Sequence, residues 1–156
     1  MARRSRAREI ALQALYQRDQ NKSISQEDAL AFLVRRLNEP ELVELGKALY
    51  LGTVQHLKEI DERLAKVADN WSVERMAIVD RNVLRLGIFE LYHGPEMPFK
   101  VVLDEAVELA KRYGSEESPA FVNGILDKIA SEKNESTTCE PESLEGEAPA
   151  VPSATV

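Results

Sequence analysis

This sequence predicts an all-α fold, and three observations carry the expectation. Apolar residues recur at i, i+3, i+4 and i+7 through most of the chain, the signature of helices buried on one face. The seven glycines and seven prolines are concentrated in a few places, whereas short strands need turn signals every 8–12 residues or so. Apolar residues make up 44% of the chain and aromatics only 6%, a helical balance with enough material for a real core. At 156 residues the chain has a one-domain length.

A first helix over 5–19 places Ala7, Ile10, Ala11, Ala14 and Leu15 on one stripe, and Asn21-Lys22-Ser23 breaks it. Ser25, with Asp28 three residues later, forms an acidic version of the capping box. It opens a helix through Leu30, Leu33, Val34 and Leu37 to about Asn38. Pro40 suits a first helical position. From it the longest periodic stretch runs to about Ala68, with Leu42, Leu45 and Leu49 continued by Leu57, Ile60, Leu64 and Val67. Gly46 and Gly52 lie inside it; each costs about 1 kcal/mol of helix propensity against Ala, so a closely packed neighbour is expected there. Asn70-Trp71-Ser72 ends this half, with Ser72 capping a short turn.

The next helix runs through Ile78, Val79, Val83, Leu84, Leu86, Ile88, Phe89 and Leu91. So wide an apolar surface predicts burial on most sides. Gly94-Pro95 and Pro98 break the chain. Residues 99–113 then form a helix with Val102, Ala106, Leu109 and Tyr113 on one face, stopped by Gly114. Ser118-Pro119 supplies a cap and a first-position proline for a last helix carrying Val122, Ile125, Leu126 and Ile129. Asn123-Gly124 is a strong hairpin signal by itself. Its flanks have helical spacing, so it is read as helix, with Gly124 admitting a close neighbour. From Asn134 the chain is Ser, Thr, Glu, Pro and Ala without periodicity, and residues 134–156 are expected to form a disordered acidic tail.

Charge bounds the function. The net charge is −7, but residues 132–156 hold −5 of it, and residues 1–131 carry only −2. The first eight residues contain four arginines and no acid, and partners respond to the local field, not the total. The single cysteine, Cys139, has no second cysteine or nearby histidine, so neither an internal disulfide nor a metal site is expected of it. No segment approaches the ~18 consecutive apolar residues of a membrane helix. The N-terminal charge is not followed by the apolar run of a signal peptide, so a cytoplasmic location is expected.

No catalytic set is evident, and neither an enzyme nor a metal or other cofactor is expected. His56 falls in the long helix and His93 at a helix end; neither has a partner at ligand spacing, and both are read as structural. Glu108 can pair with Arg112 four residues on. Arg35-Arg36, and Arg81 with Arg85, read as solvated helix faces. The positive signal is Arg3, Arg4, Arg6 and Arg8. Arginines can bond phosphates in bidentate fashion and stack on bases, and Arg4 and Arg8 share a face if the helix extends back that far. A solvated charge run remains the alternative. Tyr113 and Phe121 bracket a glycine-containing loop and bring two rings to one rim, either to stack on bases of single-stranded RNA or to pack in the core.

Three ordered blocks resemble the NusB family. One is Ala2-Arg3-Arg4 through Arg6-Ala7-Arg8-Glu9 with Ala14-Leu15-Tyr16. Another is Asp80-Arg81 with Val83-Leu84-Arg85-Leu86 and Phe89-Glu90-Leu91. The third joins Pro98-Phe99-Lys100, Asp104 to Lys111, Tyr113-Gly114 and Phe121 to Lys128. The resemblance covers about residues 2–130. It implies two three-helix bundles packed at an angle, about 1–70 and about 71–133 of a helical domain over 1–133. It implies binding of single-stranded boxA RNA in nascent ribosomal-RNA leaders, a heterodimer with NusE, a small-subunit ribosomal protein, and work within the RNA polymerase antitermination complex. Matched residue by residue, Arg3, Arg4, Arg6 and Arg8 take the arginine-rich RNA-binding role, Tyr113 and Phe121 the RNA-facing aromatic positions, and Glu117 an acidic RNA contact. Asp80 falls where an acid contacts NusE. Ala120 departs from the basic residue common before Phe121, and Glu117 is longer than the Asp usual there. Two other readings stay open: the RNA-binding domain of ribosomal-RNA cytosine methyltransferases, which needs a following cofactor domain that a chain of this length does not hold, and a purely protein-binding scaffold. A monomer, or a homodimer that covers the arginines, is also left open.

Overall fold

The structure, a computed structural model, describes residues 2–68, 72–94 and 96–147, with side chains described from 3 to 134 within those limits. Its elements are α1 (Ala2–Gln20), α2 (Gln26–Leu37), α3 (Pro40–Gln55), α4 (Leu57–Val67), a 3-10 turn (Val73–Arg75), α5 (Ile78–Tyr92), α6 (Phe99–Tyr113) and α7 (Ser118–Glu147). The described residues contain no strand. None of the described helices is long and apolar enough to cross a membrane.

Several expected boundaries hold for the reasons given by the residues. The Ser25 hydroxyl accepts the Asp28 N–H at 3.0 Å, the capping bond that fixes the start of α2. Asn38 closes α2 with φ of 65°, a left-handed conformation that asparagine tolerates. Pro40 opens α3. Asn123-Gly124 is helical, because helical spacing on both sides outweighs the dipeptide's turn preference. Asn70-Trp71 and Pro95, read as breaks, lie outside the described residues.

The long periodic stretch is two helices, not one. It breaks at His56, whose φ of −103° and ψ of 18° are not helical. Two residues upstream explain the break. The Thr53 hydroxyl donates back to the Leu49 carbonyl at 2.7 Å, a bond that bends helices. A Cβ on Gly52 would collide with the Phe89 ring, so α5 presses directly on the α3 backbone there. After the break the chain changes partners: α3 packs chiefly on α1 and α2 and also meets α5, whereas α4 lies against α5 and α7. The packing therefore changes over at His56, earlier than the expected division near residue 70. Helices α1–α3 form one bundle, and α5–α7 with α4 laid over them form the other.

Other expectations need correction. Ser72 precedes the 3-10 turn without a side-chain capping bond. Ser118 is itself the first residue of α7; its hydroxyl accepts the Ser115 N–H at 3.0 Å and braces the loop instead of capping the helix. No heavy atom outside the helix's own backbone comes within 4 Å of a Cβ built on Gly124, so that glycine admits no neighbour, unlike Gly46 and Gly52. The backbone of α7 is helical to Glu147, past residue 133, where the expected domain ends. The rest of the expected disordered tail, residues 148–156, lies outside the described residues.

Helix α5 holds the two bundles together. Residues Asn82 to Glu90 are all buried, as its wide apolar surface predicts, and it packs against α1, α3, α4, α6 and α7. It runs antiparallel to α1, because Arg8 meets Glu90 while Asp19 meets Arg81 and Arg85. The Asp19 end is a dense network. Arg81 donates to both Asp19 oxygens at 2.6 and 2.8 Å, Asn82 adds a bond at 2.9 Å, and Arg85 spans Asp19 at 3.1 Å and Asp61 at 2.9 Å. Burial opposes the charged form of Asp19, but the bonds from Arg81 and Asn82 and the charge of Arg85 outweigh it and hold the carboxyl below the usual aspartate range. Arg81 and Arg85, read as solvated, instead join α1 and α4 to α5.

Candidate nucleic-acid interface

Helix α1 begins at Ala2, so all four N-terminal arginines stand on helix, but they do not face one way. Arg4 is exposed and has no ion pair among the described residues. Arg3 is exposed and pairs with Glu39 at 2.8 Å and Glu41 at 3.4 Å. Exposed pairs of this kind hold a side chain by about 0–1 kcal/mol and are released easily. Arg6 pairs with Glu9 at 3.2 Å and remains 42% exposed.

Arg8 departs from the expected phosphate-facing role. Its side chain is 5% exposed. Its Nε donates to Glu90 Oε2 at 2.8 Å, Nη2 lies 3.2 Å from Met97 Sδ, and Glu105 stands 3.9 Å away. The reason is register. Arg8 sits three residues before Ala11 and seven before Leu15, so it lies on the apolar stripe itself. One turn earlier, at Arg4, α1 has cleared the bundle. The i+3 and i+7 spacing was readable in the sequence; the buried carboxylate that receives Arg8 from another helix was not.

A chain of polar groups crosses the surface beside this N-terminus. Arg36 of α2 donates to Gln13 Oε1 at 3.1 Å, and Gln13 Nε2 donates to the Tyr113 hydroxyl at 3.0 Å. The Tyr113 hydroxyl donates to Glu9, which also takes Arg6 at 3.2 Å and Arg112 at 3.3 Å. Burial works against the charge on Glu9, but the bonds from Tyr113 and Arg6 and the charge of Arg112 prevail and lower its pKa. Tyr113 moves the other way, raised by burial and by its bond to a carboxylate. Arg112 is 69% exposed. It was expected to pair with Glu108, but Glu108 takes Lys111 at 3.7 Å. The sequence marks none of Gln13, Arg36 and Arg112 as part of a site, because their common site joins three helices distant in the chain.

The two rings occupy neighbouring grooves. Tyr113, 36% exposed, borders a groove with Leu12, Tyr16, Gln17 and Val79. Phe121, half-buried, borders a second cleft with Met76, Ala77, Ser115, Glu117 and Asp80. Val79 in one and Asp80 in the other are consecutive on α5, so the grooves adjoin. The loop between them is drawn tight at Gly114, where a Cβ would fall 2.5 Å from Ser118 Oγ. Glu117 is exposed at the rim. Asp80 lies in the first turn of α5, and its Oδ1 is buried without a hydrogen-bond partner. Expected where a partner docks, it shares the Phe121 cleft. The arrangement offers cations at one end, rings along its length and carboxylates at the other. It can bind a flexible anionic chain bearing flat bases, because phosphates meet arginines while bases meet rings and acceptors.

Comparison with known proteins gives a consistent picture. The model of the NusB family matches residues 5–131. The transcription antitermination protein NusB of Anaeromyxobacter dehalogenans strain 2CP-1 is 51% identical over 132 residues, 83% of this chain and 92% of that protein. A solved structure of T. maritima NusB superposes with a TM-score of 0.76 at 37% identity, covering 83% of this chain and 91% of its own. A chain from a crystal structure of the antitermination factors NusB and NusE in complex with double-stranded RNA superposes with a TM-score of 0.74 at 33% identity, covering 83% and 96%.

Proposed function

The chain belongs to the NusB family and is a transcription antitermination factor, and from that premise we propose that it binds the single-stranded boxA element of nascent ribosomal-RNA leaders together with NusE, without catalysis. The observation that carries this reading is the run of contacts from Arg6 through Glu9 to Tyr113, with the Tyr113 groove beside the cleft of Phe121 and Glu117 and the exposed Arg3 and Arg4 on the turn before it. Arg3, Arg4 and Arg6 take phosphates, with Arg112 beside them. Tyr113 and Phe121 supply stacking faces, and Glu117 accepts from a base. Arg8 serves the same site at one remove, by fixing α1 to α5.

NusE docks on the α5–α7 side near Asp80. That residue shares a cleft with Phe121 and Glu117, so partner and RNA meet at a common border. RNA held by a few exposed arginines and two rings binds weakly alone, since its ordering costs free energy. A partner touching the same border raises its affinity, and linkage requires RNA to tighten NusE by the same factor. The assembled pair then acts in the RNA polymerase antitermination complex of the cytoplasm.

The test is titration of labelled boxA RNA with the protein, with and without NusE, over a series of salt concentrations. Binding should strengthen with NusE and weaken with salt. Changing Arg3, Arg4 and Arg6 together to Ala should flatten the log–log salt slope by about 2, at ~0.7 for each phosphate contact on a single strand. An unchanged slope in that variant would reject the arginine face. Equal RNA affinity with and without NusE would reject the shared border.

A further inference from the structure

We propose that His56, Glu59 and His93 form a binding site for a borderline divalent transition-metal ion, Zn2+ foremost, that clips the α3–α4 junction to the end of α5. The sequence does not announce it, because the two histidines are far apart in the chain and only the i,i+3 pair His56 and Glu59 is local. The fold brings them face to face: their rings stack with centroids 3.8 Å apart and planes 7° from parallel. Glu59 stands beside both. His93 Nε2 lies 3.0 and 3.1 Å from the two Glu59 oxygens, and His56 Nδ1 lies 3.7 Å from Oε1. One donor atom from each of the three residues can be chosen so that all lie within 4.8 Å of one another.

These spacings suit a metal. A tetrahedral ion with bonds of about 2.0–2.2 Å sets its donors roughly 3.3–3.6 Å apart, and the 3.1 and 3.7 Å separations of the two imidazoles from Glu59 Oε1 bracket that range. Two imidazoles and one carboxylate are a recognised zinc donor set that leaves a fourth position for water. In the parallel arrangement the two ring lone pairs do not converge, so one imidazole must turn about χ2. That torsion is broad for histidine, and His93, exposed at the C-cap of α5, has room to turn.

The surroundings support the arrangement. His56 caps the end of α3 and starts α4, so His56 and Glu59 share the first turn of α4. Phe89 lies 6.2 Å from both imidazoles and gives the site an apolar floor. Arg63 occupies one Glu59 oxygen at 3.2 Å and leaves the other for the ion. Its charge weakens metal affinity, so the site binds an ion less tightly than one whose carboxylate is unpaired. The site lies in α3–α5, away from the residues assigned to RNA, and stands independently of the proposed function.

Calorimetry and thermal melting test this on the untagged full-length chain carrying Cys139→Ser, which removes the one thiol able to compete. After chelator treatment it should bind one equivalent of Zn2+, and one of Co2+ with the intense visible bands of a tetrahedral site. The melting temperature should rise with Zn2+ and fall back when EDTA is added. His93→Gln and His56→Gln should each weaken Zn2+ binding by about tenfold or more, with circular dichroism verifying the fold. No heat and no Co2+ bands with either metal would overturn the proposal. So would undiminished, wild-type affinity in either histidine variant, which would place the ion elsewhere.

Discussion

Arg8→Ala separates an arginine that holds the fold from the arginines proposed to meet RNA. Arg8 and Glu90 are each 5% exposed and lie 2.8 Å apart. Removing one partner of such a pair leaves a buried charge and costs about 3–5 kcal/mol. A domain of this length has a total stability on the order of 7–20 kcal/mol, so the variant should still fold at 25 °C. Its melting point should fall by roughly 10–20 °C, at about 3–5 °C for each kcal/mol. The loss should depend on pH. Burial raises the Glu90 carboxyl above its ordinary range, against the pull of Arg8, and without Arg8 it rises further. A carboxyl raised in the folded state favours folding at low pH and loses that contribution as pH rises through the folded value. The deficit of Arg8→Ala should therefore be smaller near pH 5 than near pH 7.5. Urea unfolding at both pH values reads the stability, and salt-dependent RNA titration reads the contact. Arg8→Ala should keep the wild-type salt slope per folded molecule. The pairing Arg8→Met with Glu90→Leu should regain most of the lost stability, since apolar replacement of a buried pair is often neutral or better. A fully stable Arg8→Ala with a flattened salt slope would show that Arg8 is a phosphate ligand and that the burial argument fails.

Three further outcomes follow from the packing. Asp19→Ala should cost about 3–5 kcal/mol, because it leaves Arg81 and Arg85 short of their shared partner. In the wild type the depressed Asp19 pKa contributes stability that is full above the ordinary aspartate value of about 3.9 and is lost as pH falls through the lower folded value; a wild-type advantage over Asp19→Ala that persists unchanged to pH 2 or so would contradict this. Gly52→Ala should destabilise by about 1–3 kcal/mol, since its Cβ meets the Phe89 ring, whereas Gly124→Ala, with open space around it, should stabilise by about 0.5–1 kcal/mol; denaturant melts that rank the two the other way would reject both assignments. Phe121→Ala should lower RNA affinity by about 1–3 kcal/mol through lost stacking, and normal binding per folded molecule would move Phe121 into the purely structural class.

The helices were legible wherever a single segment decided its own structure. Ser25, Pro40 and the stripe of α7 each declare a boundary or a face within a few residues, so period and capping chemistry suffice. The failures share a physical cause: a partner supplied from elsewhere in the chain. The stretch from Leu49 to Ile60 keeps helical phase, so its period does not announce the break at His56; Phe89, pressing on Gly52 from α5, acts there with the local Thr53 back-bond. Arg81 and Arg85 look like any exposed i,i+4 basic pair until Asp19 and Asp61 arrive from α1 and α4.

Arg8 marks the border between the two cases. Its own register already places it on the buried stripe, whereas its charge argued for the surface. The charge gave way because Glu90 waits on α5. The same logic orders the candidate interface. Phosphate contacts need only exposed cations on a helix end, and those are readable from composition. A site that also positions rings needs the Gly114 loop, the α1–α6 contact through Tyr113 and Glu9, and α5 beneath both grooves. It follows that the proposed RNA face depends on the internal ion pairs: if α1 slips against α5, Arg6 and Glu9 move away from Tyr113. Weakening the Arg8–Glu90 clasp should therefore disturb RNA binding only as the fold itself loosens, in parallel with the melting curve, while changes at Arg4 or Phe121 act at temperatures where the fold is intact.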